Sequence, residues 1–273
     1  MFRPRAAMLT LYGDYVRYRG GEIGIGSLIK LLANFGLSEQ SIRSAVYRMC
    51  RAGLLKVRHN GIKSYYSLTG NGLVLLKEGE RRIFERKQTH WDSTWSVVVY
   101  YIPEEKREAR DTLRQELTWI GYGPLSTATW VSPHDLHKEV ERVVKKLKIK
   151  EYMQIFQAKH LGFSNSKNII SRCWDLNRIH KGYADFIDEY RSKLDNHLER
   201  LQKGENIEPS ECFAERFKLI HEYRRLPFFD PDLPEELLPD NWLRSSASDL
   251  FHKYHDLLAE KANKYFDTVT NAY

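Results

Sequence analysis

The dipeptide Asn60-Gly61 constrains this chain most, because it separates two runs that read as strands, Leu54-Leu55-Lys56-Val57-Arg58-His59 and Ile62-Lys63-Ser64-Tyr65-Tyr66-Ser67-Leu68. Asn-Gly accepts the positive φ that both central residues of a type I′ turn require, so the pair predicts a tight antiparallel hairpin. Three helix-patterned segments precede it. Pro4 to Tyr18 carries Ala7, Met8, Leu11, Tyr12 and Tyr15 at helical spacing and stops at Gly20-Gly21. Ile25 to Phe35 carries Leu28, Ile29, Leu31 and Leu32 and stops at Gly36. The third opens at Ser38, an N-cap residue, with Glu39 complementing the helix dipole, and runs to about Ala52 before Gly53. Three helices followed by a ribbon is the order of a winged helix-turn-helix.

At roughly 100° per residue, the third helix places Ile42, Ala45, Val46 and Met49 on one face and Gln40, Ser44, Tyr47, Arg48 and Arg51 on the other. In a helix-turn-helix this element enters the major groove, where Gln pairs with adenine and Arg with guanine. Gln40 and Ser44, nearest the N-terminal end, are the leading base readers, with Ser41 and Arg43 beside them. Arg48 and Arg51 either read guanine or clamp phosphates. The ribbon adds Lys56, Arg58, His59, Asn60 and Lys63, which suits a grip on the backbone or entry into the minor groove. Arg3 and Arg5 offer a basic arm.

The charge distribution agrees with this reading. The net charge is +7, yet residues 1–90 alone hold 16 Lys and Arg against 6 Asp and Glu, leaving 27 against 30 for the rest. A cationic segment calls for a polyanion. Winged helices also serve as protein-binding modules, but net charge, ribbon and polar outer face together favour double-stranded DNA. A membrane-surface anchor would need an amphipathic helix with a broad apolar face, which the segment lacks. No apolar run reaches the roughly 18–20 residues of a membrane span, and the start Met1-Phe2-Arg3-Pro4-Arg5 has no signal-peptide pattern, so a cytoplasmic location is expected. Cys50, Cys173 and Cys212 are widely spaced and read as incidental thiols.

Beyond the ribbon, Asn71 to Lys87 reads as a charged connector helix bearing Glu78, Glu80, Arg81, Arg82, Glu85 and Arg86. Trp95 to Ile102 is a continuous apolar run suited to a central strand buried on both faces. The amphipathic helix Glu105 to Ile120 follows, then short strands at Tyr122 to Leu125 and Ser126 to Val131. Ser132-Pro133 reads as a helix cap with Pro at the first helical position, opening a helix to about Leu147 before a last strand, Tyr152 to Ala158. The order β-α-β-β-α-β is ferredoxin-like. Trp174 to Leu201, Cys212 to Arg224 and Ser246 to Asn263 read as helices. Pro227, Pro231, Pro234 and Pro239 predict a rigid extended connector. The expected fold is α+β, with a winged helix-turn-helix and connector over 1–89, a ferredoxin-like middle domain over 90–171 and a helical C-terminal domain over 172–273.

The chain resembles the PaaX-type repressors of bacterial phenylacetic acid catabolism. The resemblance rests on Ser41-Ile42-Arg43-Ser44-Ala45-Val46-Tyr47-Arg48-Met49 with Ala52-Gly53-Leu54-Leu55, and on Trp91-Asp92-Ser93-Thr94-Trp95 leading to Tyr100-Tyr101-Ile102-Pro103-Glu104. Gly123-Pro124-Leu125 and Trp130-Val131-Ser132-Pro133 agree. The most specific block is Arg224-Arg225-Leu226-Pro227-Phe228-Phe229-Asp230-Pro231-Asp232-Leu233-Pro234 with Leu237-Leu238-Pro239-Asp240-Asn241-Trp242. Ser93 stands where the family usually has Gly, which bears on local turn geometry. The resemblance implies a homodimeric repressor, not an enzyme, released from DNA by an aryl-coenzyme A thioester such as phenylacetyl-CoA or a related acyl-CoA. An aryl group needs aromatic walls and coenzyme A phosphates need Arg or Lys, which makes Trp130, Arg172, Trp174 and Arg178 the effector candidates.

The rival from another class is a metal-dependent nuclease built on the β-α-β-β-α-β domain. Such a metal needs a carboxylate near the end of the first strand, whereas this one ends Tyr100-Tyr101-Ile102-Pro103. His134 and His137 with Asp135 have ligand-like spacing but no accompanying Cys, so no metal is assigned.

Overall fold

The computed structural model describes residues 2–84 and 90–272. It divides into two compact units, one of Met1–Glu85, Ala184–Arg225 and Ser245–Tyr273, the other of Arg86–Tyr183 and Leu226–Arg244.

The first unit opens with α1 (Pro4–Asp14), which has Pro at its start, and a single 3-10 turn, Val16–Tyr18. The helix stops short of the expected Tyr18 because Tyr15 leaves helical geometry, at φ −129° and ψ −60°. Its ring is buried against Phe213 and stacked on Phe266 at 5.0 Å. Then come β1 (Glu22–Gly24), α2 (Ile25–Ala33), α3 (Glu39–Arg51), β2 (Leu55–Asn60), β3 (Lys63–Leu68) and α4 (Gly70–Phe84). Part of the expected connector helix, with Glu85 and Arg86, lies outside the described residues. The three strands form an antiparallel sheet in the order β1-β3-β2. β1 is not expected from the sequence, and it pairs Glu22, Ile23 and Gly24 with Ser67, Tyr66 and Tyr65.

The hairpin exists, but its turn is one residue later than Asn60-Gly61. Asn60 pairs with Lys63, so Gly61 and Ile62 are the central residues. Gly61 has φ +58° and Ile62 is not among the residues of positive φ, which is the type II′ pattern with Gly first. Asn60 therefore keeps its place in the ladder.

In the second unit β4 (Thr94–Tyr100), α5 (Arg107–Ile120), β5 (Gly123–Pro124), β6 (Thr129–Ser132), α6 (His137–Leu147) and β7 (Met153–Lys159) follow the expected β-α-β-β-α-β order. The antiparallel sheet runs β5-β6-β4-β7. Strand alternation sends Val98, Tyr100, Trp130 and Met153 to a core with Leu113 and Leu117 of α5 and Val140, Val143 and Val144 of α6. Trp95, Val97 and Val131 point to the opposite face, against Ile169, Ile170 and Cys173 of α7 (Ser166–Cys173). The central strand is thus covered on both faces, as its unbroken apolar run predicts.

Ser132-Pro133 does not cap a helix. Ser132 pairs with Ser96 inside the sheet, and its hydroxyl accepts from the His134 N–H at 3.2 Å, so the chain turns locally and α6 begins only at His137. Ser93 occupies the left-handed region at φ +63°, and the Asp92 carboxylate accepts from the Thr94 N–H at 2.9 Å. The turn that favours Gly is kept with a side chain in its place.

The long helix expected from Trp174 starts at Leu176, because Trp174 is extended and ends α7. This α8 (Leu176–Gln202) gives Leu176–Tyr183 to the second unit and Ala184–Gln202 to the first. α9 (Pro209–Tyr223), α10 (Arg225–Phe229) and α11 (Arg244–Ala272) complete the chain. α9 and α11 share an aromatic core with the N-terminal helices: Phe217 stacks on Phe35 at 4.1 Å, and Tyr223 on Phe251 at 4.1 Å.

The proline-rich stretch is not an extended connector. Pro227 lies within α10, Glu235–Leu237 is a 3-10 turn, and Leu233, Leu237 and Leu238 are buried with Trp95, Val131 and Ile169. At its centre the buried Asp230 accepts from Arg244 Nε and Nη2 at 2.7 Å each and from the Tyr183 hydroxyl at 2.7 Å. The apolar side chains between the prolines supply the reason: the segment is a core wall fixed by a buried ion pair.

Candidate nucleic-acid interface

α3 is capped as expected, with the Ser38 hydroxyl accepting from the Ser41 N–H at 3.2 Å. Ile42, Ala45, Val46 and Met49 are buried, and α3 packs on α1, α2 and β2. That packing turns Gln40, Ser44, Tyr47, Arg48 and Arg51 outward, all exposed, with Tyr47 62% accessible. The two remaining helix candidates have local work. Ser41 donates its hydroxyl to the Ser38 carbonyl at 2.7 Å, and Arg43 pairs with Glu39 at 2.8 Å one turn back. Arg48 and Arg51 form no ion pair among the described residues, which leaves two full positive charges on the outer face.

The ribbon stands beside this helix, since β2 follows α3 after Ala52-Gly53-Leu54. Lys56, Arg58, His59, Asn60 and Lys63 are all exposed. Arg58 is clamped by Glu22 of β1, with its Nη2 2.6 Å from the carboxylate, and lies 4.9 Å from the centre of the Tyr65 ring. The Arg58 hydrogen bond holds the Glu22 carboxyl below its ordinary range. One ribbon cation is therefore already partly neutralised. His59 Nδ1 shares a hydrogen bond with the Ser64 hydroxyl at 3.1 Å. Arg3 and Arg5 are exposed at the start of α1.

Two residues that sequence reasoning missed belong to this surface. Glu22 orients Arg58, but the contact depends on β1 pairing with β3, and a three-residue strand that follows Gly20-Gly21 and ends in Gly24 gives no strand signal. Ile62 sits at the ribbon tip with its side chain entirely exposed, at 103%. The one-residue shift of the turn puts it there.

The four effector residues do not converge. Trp130 is in the core on the face of the second sheet covered by α5 and α6, whereas Trp174 packs against the core on the opposite face, covered by α7. Arg172 is exposed, and Arg178, also exposed, lies 5.8 Å from the Phe229 ring centre. The second unit has a separate cleft of about 260 Å³ lined by His90, Trp91, Asp92, Ser96, His134 and Asp135 among others. Among the described residues it presents two carboxylates and no Arg or Lys, an unfavourable lining for a phosphate. Asp135 accepts from His137 Nδ1 at 2.6 Å, which holds its carboxyl low, while His134 Nε2 meets the Asp232 carbonyl at 2.7 Å. The cysteines are unpaired, and burial raises each thiol, Cys173 to about 11.

Comparison with known proteins bears on the whole chain. Residues 3–72 match the PaaX-like protein family, 88–170 the PaaX protein central Cas2-like domain, and 174–268 the PaaX-like protein C-terminal domain. The transcriptional repressor PaaX of Escherichia coli (strain K12) is 31% identical over 256 residues, spanning 93% of this chain and 79% of that protein. The structure of the uncharacterized protein Rv0674 from Mycobacterium tuberculosis superposes with a TM-score of 0.61 at 19% identity, covering 96% of this chain and 98% of that one, a likeness of fold. No helix among the described residues is long and apolar enough to cross a membrane.

Proposed function

The chain belongs to the PaaX family, and from that premise we propose that it is a cytoplasmic, homodimeric repressor that grips operator DNA with a winged helix and releases it on binding an acyl-CoA thioester such as phenylacetyl-CoA. Homology to a transcriptional repressor supports the repressor role itself. The observation that carries DNA binding is the outer face of α3, where Gln40, Ser44, Tyr47, Arg48 and Arg51 stand exposed beside a cationic ribbon. Gln40 and Ser44, at the N-terminal end of the helix, read base edges, each bidentate contact being worth about 1–3 kcal/mol of discrimination. Arg48, Arg51, Lys56 and Lys63 neutralise phosphates and set the register on the duplex. The ribbon tip, with Ile62 foremost, meets the groove wall beside the recognition helix.

The test is to sequence the DNA fragments that the purified chain retains, with and without phenylacetyl-CoA. A single enriched motif that vanishes with the thioester supports both halves of the proposal. Calorimetry with phenylacetyl-CoA, and with phenylacetate as the control lacking the nucleotide, isolates the effector. Heat from neither leaves a repressor with another ligand. The match to a Cas2-like domain keeps the nuclease rival in view, but β4, Thr94–Tyr100, contains no carboxylate to hold a hard cation. Incubation with magnesium and RNA or DNA decides it.

A further inference from the structure

The ribbon of the first unit ends in an apolar point on a polar stem. Its two-residue loop is Gly61-Ile62, and nothing lies within 4 Å of where a Cβ on Gly61 would stand. Ile62 is therefore the single side chain at the tip, and it is wholly exposed, at 103%. Cross-strand pairing sets Lys56 opposite Ser67, Arg58 opposite Tyr65 and Asn60 opposite Lys63, so strand alternation gathers Lys56, Arg58, Asn60 and Lys63 on one face behind that tip. A cationic face that ends in an aliphatic side chain calls for a polyanion with apolar surface inside it. Duplex DNA keeps such surface between its stacked bases.

We infer that Ile62 is a wedge: it enters the minor groove, pushes between two base pairs and kinks the duplex toward the major groove. The inference rests on the reading of this unit as the DNA-binding one, and adds a source of specificity to it. Dimensions decide which part of the ribbon can enter. The minor groove is about 6 Å wide, and paired strands lie about 4.7–4.9 Å apart before any side chain is added, so only a tip bearing one side chain fits. With α3 in the major groove, the adjacent minor groove is left to the ribbon. A tip that only gripped phosphates would be better served there by Lys or Arg, which water tolerates and Ile does not offer. Ile62 can read no hydrogen-bonding group, but it can read how easily a step opens. Pyrimidine–purine steps, TA and CA/TG, unstack most readily, so Ile62 selects such a step where no polar side chain reads a base. The cost of unstacking is offset by apolar contact and by the phosphates that the bend carries toward the ribbon's cationic face.

The probe is the duplex most enriched among the fragments that the full chain retains. Energy transfer between dyes on its two ends reads the bend, anisotropy at several salt concentrations reads affinity, and permanganate, which oxidises unstacked thymines, locates the opened step. The wild-type chain should bend the duplex by at least about 20° and make a thymine in a pyrimidine–purine step reactive. Ile62→Ala should straighten the duplex, protect that thymine and weaken binding about tenfold, with the salt slope unchanged because no charge is lost. Ile62→Lys should recover affinity with a slope steeper by about 0.9, yet leave the duplex straight. Replacing the reactive step by one from a stiff A-tract tests the wedge without altering the protein: it should cost the wild-type chain about as much as Ile62→Ala does, and cost Ile62→Ala little. Tight binding to a straight duplex with no reactive thymine, an Ile62→Ala chain that bends as fully as wild type, or a step replacement that weakens both chains equally would overturn the wedge and leave the DNA-binding reading standing. A wild-type chain that retains no DNA would overturn both.

Discussion

Replacing Asp230 by Ala removes the acceptor around which the proline-rich segment is built. Its carboxylate is wholly buried and accepts hydrogen bonds from Arg244 Nε and Nη2 at 2.7 Å each, the Tyr183 hydroxyl at 2.7 Å and the Asp232 N–H at 2.9 Å. The Arg244 side chain is only 19% exposed, so the variant leaves a guanidinium largely out of water. Breaking such a pair from one side costs about 3–5 kcal/mol. Arg244 keeps a contact to the Asp232 carboxylate at 3.1 Å and one to the Leu233 carbonyl at 3.3 Å, which places the expectation at the lower end, about 3 kcal/mol. Urea titration followed by Trp fluorescence reads it, since Trp242 lies 6.1 Å from the Tyr183 ring. Glu139→Ala is the control, because its partner Arg142 is 74% exposed, and an exposed pair of this kind contributes roughly 0–0.5 kcal/mol. Pairing Asp230→Ala with Arg244→Met should recover part of the loss, since no charge is then stranded. If Asp230→Ala loses under about 1 kcal/mol, or no more than the control, the segment is not held by a buried ion pair and this reasoning is refuted.

Ser93→Gly should stabilise the chain by about 0.5–1 kcal/mol in the same titration, because Gly takes the left-handed turn without the steric cost that Ser bears, less the extra freedom it gives the unfolded chain; a loss of stability would contradict this. Burial, with Arg224 and Arg225 adding repulsion, pushes His221 down to about 4, so the folded chain resists a proton that the unfolded chain accepts near pH 6.5. Stability is therefore full above about pH 6.5 and falls as pH drops toward 4, by up to about 3 kcal/mol. His221 packs on Phe2 at 4.5 Å, so His221→Phe should keep the packing and flatten that acid limb of a urea-midpoint profile; an unchanged limb would assign it to other groups.

What was legible in the sequence was whatever depended on local period and polarity. The buried and exposed faces of α3 follow from its 3.6-residue repeat, and the two-sided β4 from its unbroken apolar run. What was hidden depended on partners distant in the chain. β1 is a strand only because Tyr65, Tyr66 and Ser67 lie alongside it, and it is β1 that delivers Glu22 to Arg58. The Asn-Gly pair named the right hairpin but the wrong central residues, because Gly alone supplies the positive φ a type II′ turn needs. Ser132 had the composition of a cap, yet the ladder to Ser96 claimed it first. The prolines suggested an extended tether, while Leu233, Leu237 and Leu238 between them supplied a core wall. Arg58 reads as a DNA contact alone because its partner Glu22 reaches it only through the pairing of β1 with β3.

The central claim is that the exposed face of α3 and the ribbon beside it hold duplex DNA. Its most direct measurement is an anisotropy titration of retained DNA at several salt concentrations, for the wild-type chain and for Arg48→Ala with Arg51→Ala. Removing one cation from a phosphate should flatten the log–log dependence of affinity on salt by about 0.9, so the double variant should bind more weakly with a slope shallower by about 2 per protomer. Wild-type affinity indifferent to salt, or a double variant that matches wild type in both affinity and slope, would contradict the account.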